Sequence, residues 1–187
     1  MTSAQGSALH RTSTPPKPYP TPRQPVFRQA RHDDPVPLHS VLNVTLANTF
    51  DLKARVVQAR WQARQSGDGQ LADIYDDFND ELDFWADLIG QRSAMLGGLP
   101  RAFVDDITRL SRLPPPPGAL VFDMQLRNAV TEGIDVTRQY LQGALQLAQA
   151  ENDASTVDVL QRLRRRLDNK KDVLAPPCRS TTPSSAA

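Results

Sequence analysis

The chain has 187 residues, of which 39% are hydrophobic and 23% charged, and this composition suits one globular domain with flanking tails. Its formal net charge of +1 indicates no overall preference for nucleic acid, and its single cysteine, Cys178, excludes an internal disulfide framework. No stretch reaches the roughly 18 consecutive apolar residues of a membrane span, and the N-terminus lacks the apolar core of a signal peptide. We therefore expect a cytoplasmic protein without a membrane partner.

The first half of the chain predicts an arm followed by two long helices. Residues 1–37 are rich in proline, serine and threonine, so they should form a disordered basic arm. A first helix is predicted from about 38 to 64, and a glycine-containing break at 66–69 separates it from a second helix, which Gly97 and Gly98 should end in a left-handed turn. The apolar stripes that indicate these helices are Leu42, Leu46, Phe50, Ala54, Val57 and Trp61, then Leu71, Ile74, Phe78, Leu82, Trp85 and Ile89.

The second half predicts a crossover and two further long helices. Residues 99–113 have the pattern of a short amphipathic helix, and a proline-rich connector follows it. A third long helix is predicted over 121–150, and a fourth begins near 154 with Asp153 as its N-cap. The fold class is therefore all-α: a four-helix bundle over 38–174 with a short linking helix in one long crossover, and a disordered C-terminal tail over 175–187.

One spacing within the bundle identifies a family. Arg60 and Trp61 are followed by Ala72, Asp87 and Gln91, and Leu96-Gly97-Gly98 closes the second helix. Together with Leu42-Asn43 and an Asp153, Thr156, Asp158 motif, this frame resembles the Dps family of DNA-binding proteins from starved cells, within the ferritin-like superfamily. The resemblance implies a ferritin-like bundle that assembles into a hollow shell of twelve subunits.

The resemblance also implies a degenerate iron centre. In the family, two histidines of one subunit meet an aspartate and a glutamate of another, a donor set suited to Fe(II). By position these ligands become Arg60, Ala72, Asp87 and Gln91, so no catalytic residue is intact and ferroxidase activity is left open. Iron is then expected at most weakly, with Asp76 and Asp87 as the candidate metal ligands.

Several readings of these residues stay open. Asp87 is either a weak ligand or an ordinary helix acid paired or in solvent. Arg60 either replaces the metal by pairing with Asp87 across the dimer, or points to solvent or pairs within its own chain. Trp61 and Trp85 are expected in the core. A minor metal site of His32, Asp33 and Asp34 with His39 is a further option at the base of the arm.

Charge is segregated along the chain. Seven acids and no base lie between residues 71 and 90, and in a Dps-like shell this helix faces the cavity; the alternative is a solvated acidic face. The acids are Asp73, Asp76, Asp77, Asp80, Glu81, Asp83 and Asp87, of which Asp73, Asp80 and Asp83 are the candidate cavity acids. The arm carries the candidate DNA-binding residues Arg11, Lys17, Arg23, Arg28 and Arg31. A second basic run, either a DNA patch or a salt-bridged face, comprises Arg162, Arg164, Arg165, Arg166, Lys170 and Lys171.

Three functions follow from these patterns. The favoured one is a Dps-like stress-protection protein that binds and shields DNA nonspecifically at the nucleoid, with its ferroxidase centre largely lost. The second is an iron-oxidising and iron-storing protein with a rearranged site. The third is a structural subunit that partners an active paralogue.

Overall fold

The structure, a computed structural model, describes residues 36–115 and 123–175, and this part of the chain is helical without strands. Four long helices and one short helix follow one another in the chain. They are α1 (Leu38–Ser66), α2 (Gly69–Met95), α3 (Val104–Leu110), α4 (Asp123–Ala150) and α5 (Ala154–Leu174). The predicted all-α four-helix bundle with a linking helix is thus confirmed. None of the described helices is both long and apolar enough to cross a membrane.

The α1–α2 turn is short because its two residues cap both helices. Gly67 takes a left-handed φ of 81°, which glycine adopts without steric cost, and its N–H bonds back to the last turn of α1. The next residue, Asp68, is the N-cap of α2, and its carboxylate accepts a hydrogen bond of 3.0 Å from the N–H of Leu71. The two helices therefore form an antiparallel hairpin.

Cross-helix contacts fix the helix directions. Arg60 meets Asp76 while Lys53 meets Asp83, so α2 runs antiparallel to α1. Arg55 reaches the carbonyl of Ala129 in α4, and Leu52 lies beside Gly133, so α4 is also antiparallel to α1. Consequently α2 and α4 run parallel, and the segment between them must cross the length of the bundle.

The bundle core is a single apolar cluster from the four long helices. Burial of these side chains is the main term that stabilises the fold. Its fully buried members include Leu42, Leu52, Val56, Phe78, Leu82, Ile89, Val130, Ile134, Leu141, Leu160, Leu163 and Leu167. Trp85 belongs to this core as predicted, but the prediction for Trp61 was wrong, because its side chain is 57% exposed on the outer face of α1.

The crossover departs from the sequence prediction. The linking helix spans only 104–110 instead of 99–113. Pro100 disfavours helical backbone at Leu99 and Pro114 disfavours it at Leu113, and the flanking residues Phe103 and Ser111 have non-helical ψ angles of 150° and 142°. Hydrogen bonds to α1 hold the flanking segments instead: Asn43 binds the carbonyl of Leu99 and the N–H of Arg101, at 3.0 and 3.1 Å. None of the residues of α3 is buried in the single chain.

Candidate functional site

The four residues that the sequence resemblance assigns to the family's ligand positions lie on the α1–α2 hairpin. Arg60 is on the last third of α1, and the other three follow one another along α2. Ala72 packs into the core and is 2% exposed, so it offers no donor atom to a site. Asp87 and Gln91 are both exposed.

Arg60 is bound to an acid of its own chain. Its Nη1 lies 2.6 Å from Oδ1 of Asp76, and the guanidinium of Arg64 binds the other carboxylate oxygen of Asp76. The hydrogen bond from Arg60 is the main reason that the pKa of Asp76 lies below its usual value of 3.8, and the charge of Arg64 lowers it further. Of the alternatives left open for Arg60, the structure thus has the one in which Arg60 pairs within its own chain.

Asp87 and Gln91 lie apart from that cluster. The Nε2 of Gln91 donates a hydrogen bond of 2.6 Å to the Oδ2 of Asp87, and both residues border a cavity of about 490 Å³ with Leu46, Phe50 and Pro100. Asp87 follows Asp76 by 11 residues, which along a helix is about 16 Å. Within one subunit, therefore, Arg60 does not reach Asp87, and the two aspartates cannot share one ion.

The residues present do not fit an iron centre of the family type. A guanidinium has five N–H donors and no lone pair for a metal, alanine has no ligand atom, and Gln91 offers a neutral amide oxygen in place of a carboxylate. No group of three or more histidine, cysteine, aspartate or glutamate side chains is placed to hold a metal among the described residues. Asp76 and Asp87 could serve a weak site only through acids of different subunits, which stays a prediction.

The acidic run of α2 is divided between ion pairs and free carboxylates. Asp83 pairs with Lys53, Glu81 lies 3.2 Å from Lys170, and Asp76 holds its two arginines. No ion pair to Asp73, Asp77, Asp80 or Asp87 occurs within the described ranges, and these four are exposed. Three of the seven acids of this run are therefore paired with cations of neighbouring helices.

The basic run of α5 is likewise mostly paired. Arg162 bonds to Asp158, Lys170 to Glu81 and Lys171 to Asp135. Arg164 donates to the side-chain oxygen of Gln142 on α4. The salt-bridged interpretation thus describes three of the six cations of this run, and Arg165 and Arg166 are the members that remain exposed without an ion pair within the described part of the chain.

A linkage that was not predicted joins α2 to the start of α5. Arg92 places Nη2 at 2.7 and 2.6 Å from the two oxygens of Asp153, and its Nε lies 2.6 Å from Oγ1 of Thr156. Burial raises the pKa of Asp153, but the hydrogen bonds from Arg92 and Thr156 outweigh it and bring the pKa to about 2. Asp153 also caps α5 as predicted, accepting from the N–H of Thr156 at 3.1 Å. The partner of Arg92 was missed because residues about 60 positions apart show no sequence signal of contact.

Several predicted site residues lie outside the described ranges. These are the candidate DNA-binding residues of the arm, Arg11, Lys17, Arg23, Arg28 and Arg31, together with His32, Asp33, Asp34 and Cys178. His39, the remaining member of the minor metal option, lies in the first turn of α1 against Gly98.

The comparisons with known proteins agree with this architecture. A family model described as the ferritin-like domain matches residues 40–175. Dps from Listeria monocytogenes superposes with a TM-score of 0.69 at 21% identity, covering 75% of this chain and 95% of that one. DpsC from Streptomyces coelicolor gives a TM-score of 0.70 at 21% identity, covering 74% and 81%. Dps from Vibrio cholerae O1, described as a member of the ferritin-like diiron-carboxylate proteins, gives 0.67 at 15% identity, covering 73% and 86%. A comparison with curated protein sequences gave no match.

An antiparallel helix hairpin, a crossover with a short helix and a second hairpin define a ferritin-like protein. The chain belongs to the ferritin-like family, and its fold is the one seen in Dps proteins. At these identities the likeness to solved Dps structures establishes the fold alone.

Proposed function

We propose that this chain is the subunit of a Dps-like protective shell that acts by binding DNA rather than by oxidising iron. The observation that carries this proposal is the ion pair of Arg60 with Asp76 at 2.6 Å. A cation stands where the family places a metal-binding histidine, and its charge is balanced inside the same subunit. The ferroxidase function of the family is therefore the part we propose to be lost.

Assembly into a homo-oligomer is supported by the surface of the crossover. Three large apolar side chains there are 72 to 82% exposed in the single chain, namely Leu99, Phe103 and Val104. Contiguous exposed apolar groups on a globular protein favour a protein interface. In the proposed shell of twelve subunits, these residues are covered by a neighbouring copy.

DNA binding is assigned to the N-terminal arm, and the proposed location is the nucleoid in the cytoplasm. Five basic residues per arm are few, but they contact phosphates without reading sequence. Twelve arms on one shell bind through several weak contacts at once, which raises the overall affinity by orders of magnitude.

The decisive experiment measures both activities on the purified assembly. We expect peroxide-dependent Fe(II) oxidation at the rate of buffer alone, and a gel shift of duplex DNA that is lost on raising the salt concentration. The variant Arg60→Ala serves as a control, because freeing Asp76 from Arg60 should not create oxidation if the other ligands are missing. Oxidation well above buffer by the unmodified protein would contradict the proposal.

Iron storage is a second candidate, favoured by the unpaired carboxylates of α2. Asp73, Asp77 and Asp80 are exposed and share one face of the helix, where they could collect cations if that face lines a cavity. Iron retained by the shell after desalting, and lost in an Asp73→Asn/Asp77→Asn/Asp80→Asn variant, would favour this function. Absence of both DNA binding and iron retention would favour a structural subunit that partners an active paralogue.

A further inference from the structure

A cavity between α2 and α5 has a lining unlike the other surfaces of the bundle. Its volume is about 430 Å³, and it is bordered by Phe84, Trp85, Arg162, Arg165, Arg166 and Asn169. The lining thus carries three guanidinium groups, one amide and two aromatic rings, and it includes no carboxylate. A concave site of this volume falls within the range that holds small ligands.

The cations of this cavity are available to a ligand. Positions 162, 165, 166 and 169 have the spacing i, i+3, i+4 and i+7, which places them on one face of α5. Arg165 and Arg166 are exposed and form no ion pair within the described ranges, whereas Arg162, Lys170 and Lys171 are in ion pairs and Arg164 donates to Gln142. Arg162 forms an exposed ion pair of 2.7 Å with Asp158, one helix turn earlier. Such exposed pairs are weak, so Arg162 can exchange Asp158 for an anion that binds more strongly.

The aromatic wall is fixed and partly open. Phe84 is 58% exposed, while Trp85 is 6% exposed in the core. The two rings make an edge contact, with centroids 5.2 Å apart and planes at 74°. The buried tryptophan therefore holds the phenylalanine ring in place at the mouth of the cavity.

We infer that this cavity binds a free mononucleotide. Guanidinium groups bind phosphate oxygens in pairs of hydrogen bonds, and an exposed aromatic ring supplies a stacking surface for a base. In this arrangement Arg165 and Arg166 hold the phosphate, Phe84 stacks on the base, and Asn169 offers donors and an acceptor to the sugar or base. The cavity is built from one subunit, so the inference does not rest on the proposed shell or on binding of DNA by the arm.

The test is isothermal titration calorimetry of the full chain with AMP, ATP and inorganic tripolyphosphate. We expect both nucleotides to bind, and the variant Arg165→Gln/Arg166→Gln to weaken all binding by about tenfold or more, since it removes charge-assisted hydrogen bonds. The variant Phe84→Leu should weaken the binding of AMP and ATP by about fivefold or more and leave the affinity for tripolyphosphate unchanged, because only the nucleotides have a base that stacks on the ring. A control for net charge, Arg109→Gln/Arg112→Gln, removes two exposed positive charges from the crossover, where Arg109 pairs with Asp106, and should leave binding intact.

Three results would overturn the inference. The first is no measurable nucleotide binding by the unmodified chain, with folding confirmed by circular dichroism. The second is an equal loss of nucleotide affinity in the crossover control, which would show that the effect of the arginine substitutions comes from net charge alone. The third is a single-stranded oligonucleotide that binds much more tightly than ATP and is equally sensitive to Arg165→Gln/Arg166→Gln, which would make the cavity part of a strand-binding surface.

Discussion

The carboxylate of Asp76 receives guanidinium groups from two successive turns of α1, those of Arg60 and Arg64. All three side chains are at least one-fifth exposed, so salt and water screen the attraction between them. The arrangement instead fixes the orientation of the Arg60 side chain, whose guanidinium points toward Asp76 of the same hairpin. A guanidinium so held is less available to an acid of a neighbouring subunit.

This geometry predicts which acid is coupled to Arg60. In double-mutant cycles of thermal unfolding, Asp76→Ala should lower the unfolding temperature more in the presence of Arg60 than in the Arg60→Ala background. Asp87→Ala, the matched change farther along α2, should have the same effect in both backgrounds. Coupling to Asp87 alone would instead show that Arg60 serves the partner subunit.

Asp153 predicts a pH dependence of stability. Its pKa of about 2 in the fold lies below the ordinary value of 3.8, so the fold favours the ionised carboxylate. The resulting stabilisation is complete above about pH 5 and is lost as the pH falls through 3.8 toward 2. The difference of nearly two pKa units corresponds to about 2 kcal/mol in the free energy of unfolding.

Asp153→Asn is the variant that isolates this charge, because asparagine keeps the N-cap of α5. Urea unfolding at pH 7 should show the variant less stable by about 2 kcal/mol, and the difference should shrink as the pH approaches 2. A difference that is constant from pH 7 to pH 2 would mean that the charge of Asp153 contributes nothing.

At the scale of the helices, the end of α2 depends on two glycines for different reasons. Gly97 takes a left-handed φ of 77°, and the N–H of Gly98 bonds to the carbonyl of Ser93 at 3.0 Å. Gly98 has no such φ, but a Cβ at this position would lie 2.6 Å from Cβ of His39 and 3.0 Å from the carbonyl oxygen of Ser93. The absence of a side chain here lets α1 begin against the end of α2.

Replacement of this glycine should therefore destabilise the bundle. We expect Gly98→Ala to lower the free energy of unfolding by about 1 to 3 kcal/mol through overpacking against atoms close to the backbone. Gly143→Ala is the control: nothing lies within 4 Å of a Cβ there, and alanine in this exposed turn of α4 should add about 0.5 to 1 kcal/mol. Chemical denaturation of both variants measures the contrast, and equal effects would refute the packing argument.

The four long helices and two of their ends could be predicted from the sequence because apolar periodicity and capping residues are local signals. Asp153 and the left-handed Gly97 are examples that the structure confirms. The partners of Arg60 and Arg92 could not be predicted, since each pairs with an acid on another helix and nothing in the local pattern selects one acid from several. Helix α3 is shorter than its apolar spacing predicts, because the prolines at 100 and 114 disfavour helical backbone at the residues before them.

At the scale of the whole molecule, the arm and the bundle are expected to have separable roles. Deletion of residues 1–36 should leave the mass of the assembly near twelve subunits in light scattering, because α1 begins only at Leu38. The same deletion should weaken DNA binding and flatten its dependence on salt, since fewer phosphates are neutralised. Unchanged DNA affinity after the deletion would move the role to another surface.

The hairpin of α1 and α2 also has a consequence for the order of events in folding. Asp76 is separated along the chain by 16 residues from Arg60 and by 12 from Arg64, so these contacts close small loops at little entropic cost. A metal site shared by two subunits forms in a bimolecular encounter whose rate depends on protein concentration. The ion pairs of Asp76 with Arg60 and Arg64 form within one chain, in a first-order step whose rate does not depend on protein concentration.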